Sequence, residues 1–121
     1  YLSHNISKYY ILFTKYYLSY LTIVNTYLKM IYYEGAVKIV NNIVYNDPQN
    51  SMAYLYLGYT HREYKRYKDA IYCFKKAIDI NPNYERAYRH LGFTYGDLGD
   101  NKNANNFNEI ANSLDKARIR Y

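Results

Sequence analysis

The sequence predicts an all-α fold, a right-handed superhelical stack of antiparallel helix hairpins (an α-solenoid). Three observations predict it. Apolar residues recur at helical spacing, no strand signal competes with them, and the chain repeats itself at a 34-residue offset. The repeat is visible by eye: NPNYERAYRHLGFTY at residues 81–95 shadows DPQNSMAYLYLGYTH at residues 47–61. A period of this length marks two-helix units that bury a continuous core only when stacked on their neighbours.

Taken in order, the spacing predicts helices near 17–32, 35–46, 51–64, 68–80, 85–98 and 102–117, joined by short turns. Residues 1–16 contain no Gly or Pro and carry Leu2, Ile6, Tyr9, Tyr10 and Phe13 at partly helical spacing. They read as an additional N-terminal helix or as an extension of the helix that follows. Pro48 and Pro82 cannot continue a helix and end the second helix of their units, after which Asn50 or Ser51 caps the next one. Gly58 and Gly92 lie inside helical stretches, where glycine costs about 1 kcal/mol against alanine, so close helix approach is the expected reason for them. Ala70 and Ala77 supply a small-residue face opposite Gly58, with Phe74 between them filling the adjoining space. At the end of the chain KARIRY is polar enough to close the stack against water, residues 119–121 forming a short tail.

Tyr54, Leu57, Gly58, His61, Ala70, Phe74, Ala77 and Pro82 together resemble the tetratricopeptide repeat, which departs from them only at His61, where it has an aromatic ring. The next unit keeps Tyr88, Leu91, Gly92, Tyr95, Ala104 and Ala111, with Asn108 and Lys116 in place of the Phe and Pro. The first unit keeps Tyr20, Tyr27, Ala36 and Pro48, but Ile23 and Val24 stand where Leu-Gly is expected. The resemblance implies three repeats, at residues 17–50, 51–84 and 85–118.

Composition bounds the function. Half of the residues are apolar and 21% are charged, the balance of a chain that folds. The net charge of +6 is spread along the chain, whereas nucleic-acid binding calls for a concentrated basic stripe. Asn, Lys, Tyr and Ile make up 55 of the 121 residues, and all have A/T-rich codons, so the twenty tyrosines are not by themselves a stacking surface for bases. Cys73 stands alone, which excludes an internal disulfide and points to a reducing compartment, the cytoplasm or nucleus. The uncharged run at residues 16–28 is too short and too polar to span a bilayer. A first residue other than Met reads as a segment of a longer protein.

No enzyme chemistry is expected, and no cofactor or metal. His4, His61 and His90 have no second ligand-type residue at metal spacing on the same helical face, and His61 fills a packing position. No nucleophile elbow or phosphate loop is present, LGYT and LGFT being repeat residues. Cys73 between Tyr72 and Phe74 reads as an inert structural thiol. HREYKRYK at residues 61–68 interleaves cations with tyrosines, yet it coincides with a helix end and a turn, where cations complement the helix dipole.

The resemblance also implies a partner-binding groove lined by the first helix of each unit. Carried over by position, its residues are Leu21, Asn25, Met52, Leu55, Tyr56, Tyr59, Arg62, Arg86, Arg89, His90 and Phe93. Such a groove fits another protein, as a peptide or helix with apolar anchors and an acidic end. An additional helix of this chain, residues 1–16 among the candidates, is the competing occupant of the same aromatic side chains. The function expected is thus a protein-interaction scaffold or adaptor. The alternative is a co-chaperone that grips the acidic C-terminal tail of heat-shock chaperones through a five-residue carboxylate clamp. Its positions fall on Leu21, Asn25, Tyr56, Arg86 and His90, of which Asn25 matches and Arg86 keeps the charge.

Overall fold

A computed structural model describes residues 2–119, so Tyr1 and the last two residues of the expected C-terminal tail lie outside the described residues. Among the described residues regular structure is all helical: α1 Leu2–Asn46, α2 Ser51–Glu63, α3 Tyr67–Ile80, α4 Glu85–Asp97 and α5 Asn101–Ile119. The chain divides into two compact units, Tyr1–Glu34 and Gly35–Tyr121.

In the second unit α2 and α3 form one hairpin and α4 and α5 the next, with α3 packed on α4 and α2 reaching α4. These are the helices that the 34-residue period predicts, displaced by one or two residues at their ends. Both hairpins turn through the same device. The amide of Lys65 donates to the Arg62 carbonyl (2.9 Å) and that of Arg66 to the His61 carbonyl (2.8 Å). One period later Gly99 donates to Gly96 (3.0 Å) and Asp100 to Tyr95 (2.9 Å). This pairing closes a helix C-terminus around one left-handed residue, and Lys65 (φ 62°) and Gly99 (φ 80°) supply it. The following helices start on side-chain caps where the sequence offers them. Asn50 Oδ1 accepts from the Ala53 amide at 3.0 Å, and Asp100 Oδ1 from the Asn103 amide at 3.1 Å.

The core of this unit joins Leu55, Ala70, Phe74, Ala77, Ala87 and Leu91, all fully buried. A Cβ on Gly58 would lie 2.6 Å from Phe74 Cδ1 and 2.8 Å from its Cζ, so the ring itself occupies the notch that the missing side chain leaves. Ala70 and Ala77 flank that ring on α3, which is why the small residues recur seven apart.

The first repeat does not form the hairpin expected at 17–32 and 35–46. α1 runs unbroken from Leu2 to Asn46, so residues 2–16 belong to a helix extension, not to a separate helix, and Tyr1 lies outside the described residues. The physical reason lies at the turn position. Counting back one period from Lys65, or two from Gly99, reaches Ile31. A β-branched residue is a strained outlier in the left-handed conformation that the turn demands, so the helix continues. Gly35 does not break it either: it is helical, and nothing lies within 4 Å of where its Cβ would be. Among the described residues no helix is long and apolar enough to cross a membrane.

Candidate partner-binding groove

Of the residues expected to line a groove on α2 and α4, the rings of Tyr56, Tyr59, His90 and Phe93 come together in one row. Tyr59 stands 4.3 Å from His90 between ring centroids, and Phe93 meets His90 edge-on at 5.5 Å. Tyr56 extends the row, edge-on to Tyr59 at 5.6 Å. Beneath this row lies the buried Phe74, 5.9 Å from Tyr59 and 5.7 Å from His90. The aromatic row is therefore continuous with the hydrophobic core and held by it, while Met52, Tyr56 and Phe93 remain about half exposed. Tyr59, His90, Arg62 and Asp97 also border an open cavity of about 420 Å³.

Electrostatics at the groove differ from the basic end that the residue list implies. Arg62 crosses from α2 to Asp97 on α4, its Nη2 lying 2.9 Å and its Nε 3.0 Å from Asp97 Oδ2, and its guanidinium stands 5.6 Å above the Phe93 ring. Arg89 donates through Nε to Glu85 Oε1 at 2.5 Å and through Nη1 to Asn112 Oδ1 on α5 at 3.2 Å. Two of the three groove arginines are thus paired with carboxylates of this chain. Arg86 is exposed, and its bond to the Tyr59 phenol opposes the rise in pKa that burial imposes on that tyrosine. Burial, with help from Arg62 and Arg86, lowers the His90 imidazole to about 4. His90 is therefore neutral at pH 7, and its buried Nδ1 has no hydrogen-bond partner.

Leu55 is corrected by the structure: it is fully buried in the core and presents nothing to a partner. It sits beside Tyr54 and Tyr56 in sequence, where helical spacing alone does not separate the inner from the outer face of a helix packed on two sides. Leu21 and Asn25 lie exposed on α1 within the first unit. Glu85 and Asn112, which hold Arg89, were absent from the expected site. The Glu85–Arg89 spacing of four on one helix was a usable signal, whereas the Arg62–Asp97 and Arg89–Asn112 pairings depend on how successive helices pack.

Elsewhere, Cys73 is buried and its thiol is pushed up to about 12, chiefly by burial, as befits an unreactive packing residue. Among the described residues no group of three or more His, Cys, Asp or Glu side chains is placed to hold a metal ion.

Stacked hairpins with glycine notches filled from the facing helix define a helical-repeat module. Residues 58–99 match the family model described as TPR repeat. No curated protein sequence matches it. Solved structures similar to it include one titled "Crystal structure of MamA", with a TM-score of 0.71 and 22% identity over 74% of this chain and 52% of that one. MamA 41-end from Desulfovibrio magneticus RS-1 aligns with a TM-score of 0.70 and 25% identity over 77% and 52%. MamA AMB-1 aligns with a TM-score of 0.67 and 28% identity over 76% and 54%. The chain spans about half the length of these solved chains.

Proposed function

We propose that the chain is a protein-interaction scaffold or adaptor module whose α2–α4 face receives an apolar segment, a peptide or helix, of another protein. One observation carries the proposal: Tyr56, Tyr59, His90 and Phe93 form a half-exposed aromatic row that the core Phe74 supports from below. Rigid aromatic side chains that are already held in place lose little entropy when a partner covers them, which makes them effective anchors. The neutral His90 suits this role, since a charged imidazole within the row would resist desolvation. The match of residues 58–99 to the TPR repeat supports a protein as the partner.

At the edge of the row Arg86 is the exposed cation available for an acidic group on the same partner segment. The co-chaperone reading receives less support. Of the five clamp positions, Tyr56 is an aromatic packed on Tyr59, His90 is neutral, and Leu21 and Asn25 lie on α1. A bidentate grip on a chaperone-tail carboxylate would rest on Arg86 alone.

The test is selection of binding peptides from a displayed library, followed by titration of the best binder against variants. Phe93→Ala and Tyr56→Ala are each expected to weaken binding by roughly tenfold or more, as truncated aromatic anchors do. Tyr72→Ala, on an exposed tyrosine of α3, serves as the control and is expected to leave binding unchanged. Affinity should change little between ~0.05 and ~0.5 M salt. Steep salt dependence, centred on Arg86 and indifferent to Phe93→Ala, would instead favour the acidic-tail reading.

A further inference from the structure

α1 carries the residues of both helices of a repeat hairpin on one unbroken helix, and four of their core positions are exposed. Ile23 corresponds, period for period, to Leu57 and Leu91, yet it is 56% exposed where they are 6% and 0% exposed. Ile43 corresponds to Ala77 and Ala111, both fully buried, and is 41% exposed. Tyr20 and Tyr27 stand at two further inward positions of the repeat and are each 63% exposed. In the two formed hairpins the second helix folds back over such residues through a left-handed Lys65 or Gly99. Ile31 denies α1 that turn.

We propose that a second copy of the chain supplies the cover. Residues 17–31 of one copy pack against residues 35–46 of the other, and reciprocally about a two-fold axis, so that two swapped hairpins form without any turn. Every contact made is of the kind that the repeat already makes within α2–α3, and exchange of an identical element is a low-cost route to an isologous dimer. Charge does not oppose it, since Lys29, Glu34 and Lys38 are the only charged residues between positions 17 and 46. The area suffices as well. Six exposed apolar side chains per copy, Tyr20, Leu21, Ile23, Tyr27, Leu28 and Ile43, at ~100 Å² each bury ~600 Å² on each partner, the size of a modest but specific interface, before Ile39 is counted.

Sedimentation equilibrium on the chain at ~1–100 μM tests this. The expected result is a dimer, with Ile31→Gly raising its dissociation constant roughly tenfold or more and shifting the chain to a helical monomer, because glycine permits the hairpin to close within one copy. Ile23→Asp is a second probe that does not rely on turn closure. It places a charge on a residue exposed in the single copy and should dissociate the dimer while helical content is kept. A monomer across the range overturns the proposal. So does a dimer indifferent to both substitutions, which would mean that the copies meet elsewhere. Binding of the monomer to neutral lipid vesicles would assign the same face to a membrane surface and likewise overturn it.

Discussion

Asn108 stands over Gly92 in the place that the Phe74 ring takes over Gly58, one period earlier. A Cβ on Gly92 would lie 2.7 Å from Asn108 Cγ, so the amide fills the glycine notch. It fills it imperfectly, because Asn108 Oδ1 is buried without a hydrogen-bond partner. A buried acceptor left unpaired costs about 1–3 kcal/mol, which an apolar side chain of similar size does not incur. Asn108→Leu is therefore expected to stabilise the chain by about 1 kcal/mol, read as a higher thermal or urea midpoint. An unchanged or lower midpoint would show that the carbonyl is solvated or that the notch is too tight for a branched side chain.

Gly58 should respond in the opposite sense. An added methyl group meets the Phe74 ring, and that ring is locked among Ala70, Ala77 and Leu55. Gly58→Ala gains about 1 kcal/mol of helix propensity but forces the ring out of place, so net destabilisation by about 1–2 kcal/mol is expected in urea titration. Ala70→Leu, overpacking the same layer from the facing helix, should cost about 1–3 kcal/mol.

Lys65 adopts a left-handed conformation that a side chain disfavours, at a turn where the next repeat uses Gly99. Lys65→Gly relieves about 1 kcal/mol of strain, although it frees the unfolded chain as well, and a net gain of a few tenths to 1 kcal/mol is expected. Lys65→Val should be destabilising by more than that, since β-branching makes the same conformation costlier. Equal midpoints for the glycine and valine variants would contradict the role given to this turn.

His90 makes stability depend on pH. Its imidazole titrates at about 4 in the folded chain and near 6.5 when unfolded, so between those values the unfolded state binds more protons. Stability contributed by the neutral ring is present above pH ~6.5 and is lost as pH falls towards ~4, by about 1–2 kcal/mol once residual solvent screening is allowed for. His90→Phe should flatten this part of the stability profile. If wild type and variant lose stability in parallel over that window, the acid sensitivity comes from other groups, with His61 the first to consider because burial lowers its imidazole below the ordinary value.

The 34-residue period, the close helix approach at Gly58, the proline stops and the all-α class were legible in the sequence, whereas the packing showed that the Phe74 ring, and not Ala70 or Ala77, fills the Gly58 notch. Each rests on local steric demands: glycine where helices touch, proline where a helix must end, apolar residues every three or four positions. The four helices from Ser51 to Ile119 follow from those demands, as does the unreactive setting of Cys73. Tertiary structure alone decided which flank of each helix faces inward, and so buried Leu55 while exposing Tyr56 and Phe93. It also decided that Arg62 and Arg89 are held by Asp97 and Glu85 with Asn112, which sets how much positive charge the groove presents. The unbroken α1 lies between the two. Ile31 stood in the sequence throughout, but its meaning emerged only once Lys65 and Gly99 were seen to turn left-handed at the equivalent places, because backbone handedness leaves no mark in hydrophobic periodicity.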